Sequence, residues 1–384
     1  GGKLNAAAKE DLLEVVHLGG RELLFYRAFP IDVAIIRGTT ADEDGNISME
    51  FEAADLDMRS SAQAAYNSGG IVIAQVKRLV QRKQLRAREV EIPGFLVTAV
   101  VEHHDQWQTG ETDINVGYSG EFRAPISRLP VLENGVRKWV ARRASMELQP
   151  GSVTNLGYGI ADGVANIAAE EDIFEKLIFC IEQGLIGGIP AKGDIFGAAY
   201  NPDAIIDAPS QFDFFHGGGL DIAFLGMAQV DAQGNVNVSR FGERITGTGG
   251  FVDITQSTKN VVFCGTFTAG GLAMDATDDG KVQIRTEGRV RKFVPKVEQI
   301  TFSGEYAQEL GQKVLYVTER AVFRLTEKGM MLVEVAPGLD VEREVLQQMG
   351  FRPALAPEIT TMDSRIFGKA PMGLLQQAPW NRGG

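Results

Sequence analysis

Cysteine is nearly absent: the chain holds two, Cys180 and Cys264, in 384 residues. Two thiols make no disulfide framework, and neither has the spacing of a metal site, so no metal is expected. Both lie in apolar, strand-like runs (177–181 and 261–264) and are expected as buried core thiols in a reducing, cytoplasmic setting. Histidine is scarce too, with four residues. His103 and His104 adjoin in a polar stretch where neighbouring side chains point apart, so both are expected in solvent. No apolar run approaches the roughly 18 residues of a membrane span. Positive charge is in deficit, 38 basic against 50 acidic residues for a net −12. That balance argues against non-specific binding to nucleic acid or anionic membranes. The start, Gly1-Gly2-Lys3-Leu4-Asn5, has neither an initiator Met nor an apolar or Arg-rich targeting pattern. It reads as a cloning remnant or as the interior of a longer polypeptide.

What is abundant is glycine, 45 residues, within a composition that is 44% hydrophobic and 23% charged. That is about 12% glycine against a usual 7%, without a collagen period. The chain is globular and long enough for two domains. Residues 15–18 and 22–26 flank Gly19-Gly20 as a hairpin. The runs 33–36 and 71–74 suit strands covered on both faces, and 77–88 reads as a solvated connection or helix. A polar segment from about 102 to 139 is the best candidate for a linker, which is placed at 126–138. A helix is expected over 139–148, a strand over 153–156, a helix over 162–175 and a strand over 177–181. That is a βαβ unit, hence a parallel sheet. Further strands are expected at 222–225, 261–264, 297–302 and 314–317, with a hairpin of 321–325 and 331–335. Asp340 caps a last helix ended by Gly350, and the chain from Gly368 onward is expected to fray.

An internal repeat sets the architecture. Asp32, Ala34, Asp42, Gly45 and Asn46 recur at one constant offset as Asp221, Ala223, Asp231, Gly234 and Asn235. Each copy is a buried strand followed by a tight Asp-x-x-Gly-Asn turn. A second strand and a Pro-containing segment, around Pro93 and Pro295, then follow in both. Two related open α/β halves with mostly parallel sheets are therefore expected. The second copy is preceded by a βαβ unit for which the first has no counterpart. The expected division is 1–125 as the rear of a first half, 139–367 as a complete second half, and 368–384 as an irregular tail.

Ligands of open parallel sheets bind at the carboxyl ends of the strands. Three Gly-rich turns are placed for this: Asn155-Leu-Gly157-Tyr-Gly159, Glu182-Gln-Gly184 and Gly247-Thr-Gly249-Gly250. Glu182 directly follows an apolar strand, so partial desolvation raises its basicity and nucleophilicity. The amides of the third turn suit an oxyanion. Gly157-x-Gly159-x-x-x-Gly163 also lies one residue off a dinucleotide fingerprint, with Glu182 near the ribose-binding position. An NAD-dependent dehydrogenase is the alternative on spacing, although the third glycine is off register and no proton donor is evident.

The string Ile181-Glu182-Gln183-Gly184-Leu185-Ile186-Gly187-Gly188-Ile189-Pro190-Ala191 resembles the family I CoA-transferases. So do Asn155-Leu-Gly-Tyr-Gly-Ile160, His216 to Val230, Gly247-Thr-Gly-Gly250 and Phe263 to Gly271. The single-chain acetate/propionate and 3-ketoacid type, of short-chain fatty acid and ketone body metabolism, is the nearest. The resemblance implies two related halves and a catalytic glutamate at Glu182, with Gly250 as an oxyanion donor and Asn155 beside the active site. It places Gly226 and Gly249 in loops near CoA or the glutamate. It also implies ping-pong transfer through an acyl-glutamyl anhydride and a γ-glutamyl-CoA thioester, with CoA thioester as substrate and no permanently bound cofactor. Acyl-CoA and short-chain carboxylates are the expected partners, in a homo-oligomer (dimer or tetramer). The family's upstream Gly-rich loop and second oxyanion donor have no match here. A catalytically incomplete subunit that needs an upstream piece, or an acyl-CoA hydrolase using the same glutamate, are therefore kept as alternatives.

Overall fold

A computed structural model describes residues 13–125 and 132–381. The Gly1–Asn5 start, residues 126–131 of the expected 126–138 linker and the last three residues lie outside the described residues, and the linker's last three positions, 136–138, are already helical. Two compact units are present, one of residues 13–50 and 58–106, the other of 51–57 and 107–381.

The first unit opens with a hairpin, β1 (Leu13–Leu18) and β2 (Arg21–Tyr26), turning at Gly19-Gly20 as expected. Its sheet has the order β4-β3-β5-β6, with β3 (Val33–Asp42), β5 (Ile71–Val80) and β6 (Ala99–Glu102) parallel and β4 (Ile47–Ser48) antiparallel. The Lys77–Val80 part of the expected connection extends β5. Helix α1 (Met58–Asn67) is sequestered with Ala34, Ile36, Val72 and Ala74 in one core. The opposite side departs from expectation. Val33, Ile35 and Ile71 are 48%, 78% and 44% exposed, so the amino-terminal halves of β3 and β5 are covered on one face only.

The second unit is a three-layer α/β/α sandwich around a ten-stranded sheet. Its elements are α2 (Val136–Ser145), β7 (Val153–Leu156), α3 (Gly163–Glu170), β8 (Ile178–Ile181), β9 (Leu185–Ile186), β10 (Ala204–Ile205), α4 (Ala208–His216) and β11 (Ile222–Gly226). They continue with α5 (Phe251–Ser257), β12 (Asn260–Cys264), α6 (Gly304–Glu309), β13 (Lys313–Val317), β14 (Ala321–Thr326), β15 (Gly329–Val335) and β16 (Ala354–Thr361). The sheet order is β10-β9-β8-β7-β11-β12-β13-β14-β15-β16, and β8, β7, β11, β12 and β13 run parallel. Successive strand residues point to opposite faces. Leu156, Phe179, Phe224 and Val262 therefore join α2 and α3 in one core, while Cys180, Ala223, Val261 and Phe263 join α4 and α5 in another. The βαβ unit β7–α3–β8 stands as expected. The α3 helix is shorter because Asp172 takes a left-handed conformation, φ +56°.

The repeat is real in three dimensions. Asp42 accepts the amides of Asp44 and Asn46, and Asp231 accepts those of Gln233 and Asn235, all at 3.0–3.1 Å. Gly45 and Gly234 both have φ +81°, a conformation that glycine adopts without cost. Asn46 Oδ1 accepts the Gly94 amide and Asn235 Oδ1 accepts the Gly304 amide. The counterpart of Pro93 is thus Ser303, not Pro295.

Other expectations change. Residues 297–302 form turns, with Phe302 making only an isolated bridge to Val236. After Asp340, which accepts the Arg343 amide, the helix is irregular: a π turn Val341–Val345 and a 3-10 turn Leu346–Gln348. Residues 107–125 pack with the second unit, where Tyr118 meets Tyr200 and Asn201 holds both backbone groups of Ala124. The tail does not fray through 381. Met372, Leu374 and Trp380 enter the core, Glu171 accepts the amides of Met372 and Leu374, and buried Arg142 binds the carbonyls of Gly368 and Ala370.

Candidate active site

The carboxyl edge of the second unit's parallel strands gathers the turns singled out from sequence. Glu182 follows β8 and opens a turn closed by the Gly184 amide on the Ile181 carbonyl at 3.1 Å. Gly184 has φ +101°, and a Cβ there would lie 1.9 Å from the Ile206 carbonyl, so only glycine fits. The Ile206 amide donates to the Gly184 carbonyl at 2.9 Å, which locks the turn to the segment entering α4.

Glu182 is partly exposed as a residue, but its carboxyl group is enclosed. Oε2 is buried and has no hydrogen-bond partner among the described residues. Burial raises its pKa above the ordinary carboxylate range, partly opposed by its own backbone N–H and by the Gln183 side chain. A half-desolvated carboxylate is a stronger nucleophile than a hydrated one.

Gly250, the residue before α5, adjoins this carboxylate. A Cβ at Gly250 would sit 3.3 Å from Glu182 Cγ and 3.1 Å from Phe212 Cζ. Gly249 is left-handed (φ +53°) with open space around it. Asn155, at the end of β7, is fully buried and donates through Nδ2 to the Cys180 carbonyl at 3.1 Å. Gly226 ends β11 and faces the Tyr158 carbonyl at 3.6 Å from a Cβ position; its contact is with the Tyr158 turn. The edge therefore brings Glu182, Gly249 and Gly250 together, with Asn155 behind them.

The remaining candidates stay apart. Cys180 and Cys264 are buried beneath the edge, and burial lifts the Cys180 thiol to about 11 and the Cys264 thiol further. Neither offers a thiolate at neutral pH. His103 and His104 are exposed in the other unit. Among the described residues no group of three or more His, Cys, Asp or Glu is placed to hold a metal ion. No described helix is long and apolar enough to cross a membrane. Sequence reasoning gave Gln183 no role and missed Gln211 and Phe212. The signal for the last two was Asp207-Ala-Pro-Ser, an N-cap with proline in the first turn, which marks the start of α4.

The Coenzyme A transferase family model matches residues 5–103. Acetate CoA-transferase YdiF of Escherichia coli K12 is 47% identical over 376 residues, 98% of this chain and 71% of that one. The chain belongs to the CoA-transferase family. Caffeate CoA-transferase of Acetobacterium woodii is equally similar, 47% over 382 residues, covering 97% of this chain and 72% of that one. The crystal structure of the Escherichia coli O157:H7 YdiF thioester complex with CoA superposes with a TM-score of 0.90 at 46% identity, covering 97% of this chain and 70% of that one. The α/β fold expected from the repeat is thus the CoA-transferase fold, and the dehydrogenase alternative falls away. The protein is a CoA-transferase, and its Gly157 amide donates to the Phe224 carbonyl at 2.8 Å.

Proposed function

We propose that this CoA-transferase moves CoA between short-chain acyl groups and carboxylate acceptors, of the acetate, propionate or 3-ketoacid class, with Glu182 as the covalent carrier. The observation that carries the reading is the enclosed Glu182 carboxyl, its Oε2 unpartnered, set against the bare backbone of Gly250.

The steps balance without redox change. A Glu182 oxygen attacks the acyl-CoA carbonyl, the C–S bond breaks, and CoA thiolate leaves an acyl-glutamyl anhydride. The thiolate then attacks Glu182 Cδ, the anhydride C–O bond breaks, and the donor acid departs as carboxylate, leaving a γ-glutamyl-CoA thioester. An acceptor carboxylate attacks the same Cδ and frees the thiolate. The thiolate takes the new acyl group, and the Glu182 carboxylate is restored. Holding reactants in line supplies much of the barrier reduction. In this reading the Gly250 backbone N–H serves each oxyanion in turn, and Asn155 holds the strand end under the carboxylate. Gly226 and Gly249 leave backbone bare for CoA. The free, buried thiols fit a reducing cytoplasm.

Incubation with acyl-CoA and hydroxylamine should inactivate the enzyme and leave a hydroxamate at Glu182, while hydroxylamine alone does nothing. Steady release of free acid and CoA without an acceptor would point instead to a hydrolase.

A second reading rests on the first unit. Its Val33, Ile35 and Ile71 are exposed on the face away from α1, and covering the area each still exposes is worth roughly 1–2 kcal/mol. In that reading transfer needs a further α/β segment over this face. Full transfer activity by the 384-residue chain alone would contradict it.

A further inference from the structure

The two carbonyls that precede Glu182 are each held by a buried side-chain amide. Asn155 Nδ2 donates to the Cys180 carbonyl at 3.1 Å, and Gln211 Nε2 donates to the Ile181 carbonyl at 3.3 Å. Both side chains are fully buried, and neither Asn155 Oδ1 nor Gln211 Oε1 has a partner among the described residues. An unpaired buried acceptor is costly, so core filling alone would favour an apolar residue at 211. Gln211 reaches inward because Asp207 caps α4, accepting the Ser210 amide at 2.7 Å.

The same segment touches the Glu182 turn at one further point and Gly250 at another. The Ile206 amide binds the Gly184 carbonyl, and the Phe212 ring abuts Gly250. Since Ile181 also accepts the Gly184 amide, its carbonyl is the pivot of the turn.

We infer that Gln211 is a positioning residue for CoA transfer: it pins the Ile181 carbonyl and so aims the Glu182 carboxyl at the Gly250 backbone. This rests on Glu182 being the covalent carrier.

Gln211→Met keeps length and removes the donor. Misplacement of a reacting group by about 1 Å costs on the order of a hundredfold. A looser turn should therefore lower kcat roughly 10- to 100-fold, with the acyl-CoA KM within about twofold. Borohydride labelling of Glu182 in a single turnover should slow by the same factor. Gln211→Glu donates to Ile181 only while protonated, so its activity relative to wild type should fall as pH rises, a limb that Gln211→Met lacks. A merely structural role predicts loss in proportion to unfolded protein, with neither the kcat-against-KM split nor that limb. Labelling of Gln211→Met at the wild-type rate overturns the inference, as does a Gln211→Glu profile parallel to wild type. Failure of wild type itself to label overturns the parent reading instead.

Discussion

Gly250→Ala is the sharpest steric probe of the candidate site. Gly250 has φ −76° and ψ 1°, so alanine meets no backbone strain, and the change is confined to one methyl group. That methyl would lie 3.1 and 3.2 Å from two Phe212 ring carbons and 3.3 Å from Glu182 Cγ. Comfortable carbon–carbon separation is about 3.5–4.0 Å, so the neighbours must yield by about 0.2–0.5 Å. Phe212 belongs to α4, and Gln211 together with Ile206 before the helix ties this segment to the Glu182 turn by two hydrogen bonds. Glu182 Oε2 has no partner to hold it, so the carboxylate gives way at its own contact while the Phe212 ring is crowded against the new methyl. Scaled from about a hundredfold per ångström, the displacement predicts a roughly 3- to 10-fold fall in kcat, or about 0.7–1.4 kcal/mol. The N–H donor of residue 250 is retained. Exchanging glycine for alanine at an N-cap costs up to about 1 kcal/mol, a Tm change of at most about 2–4 °C. The assay is steady-state transfer from acetyl-CoA to propionate, alongside thermal unfolding. Gly249→Ala is the control: it strains a left-handed residue but has open space around it, so its effect should fall on stability and acyl-CoA KM. Unchanged kcat in Gly250→Ala, or a loss carried wholly by KM, would refute the reasoning.

Four further outcomes are expected. Burial raises the Glu182 pKa and the carboxylate is the reactive form, so kcat/KM should fall on acidification through a limb above the usual carboxylate value of about 4.3; a limb at or below that value contradicts the site. A raised folded-state pKa makes Glu182 cost stability as pH climbs from its unfolded to its folded pKa. Glu182→Gln should accordingly raise the unfolding midpoint at neutral pH, a gain that shrinks in acid, while transfer drops by at least about a thousandfold. Asp231→Ala strips the buried turn of the acceptor for Gln233 and Asn235, and Arg142→Met removes a fully buried guanidinium from Glu170 and the Gly368 and Ala370 carbonyls. Because Glu170 keeps its ion pair with Lys138, denaturant unfolding should show losses of about 2–3 kcal/mol in each, the latter with early proteolysis beyond residue 363.

Much of the second unit was legible because its signals are local. The apolar runs of β7 and β8, the helix between them and the glycines after them place Glu182 at a strand end without any long-range contact. The Asp-x-x-Gly-Asn turns were readable for the same reason, since Asp42 and Asp231 bind amides within four residues. Long-range partners hid the rest. The tail carries few periodic residues, and its order comes from Arg142 and Glu171, more than 200 positions away. Gln211 and Phe212 reach the site from a helix whose relation to β8 only the fold supplies. Ser303 escaped notice as the counterpart of Pro93 because the shared feature is glycine packing: Gly94 against the Asp44 carbonyl and Gly304 against the Gln233 carbonyl, each 2.1 Å from a Cβ position.

The central claim is that Glu182 carries CoA. The direct measurement is to mix the enzyme with acyl-CoA, reduce with borohydride and map the product by mass spectrometry. The account predicts reduction at Glu182, dependent on acyl-CoA and absent from Glu182→Gln. Transfer-competent enzyme with no modified Glu182, or with the label on another residue, would contradict it.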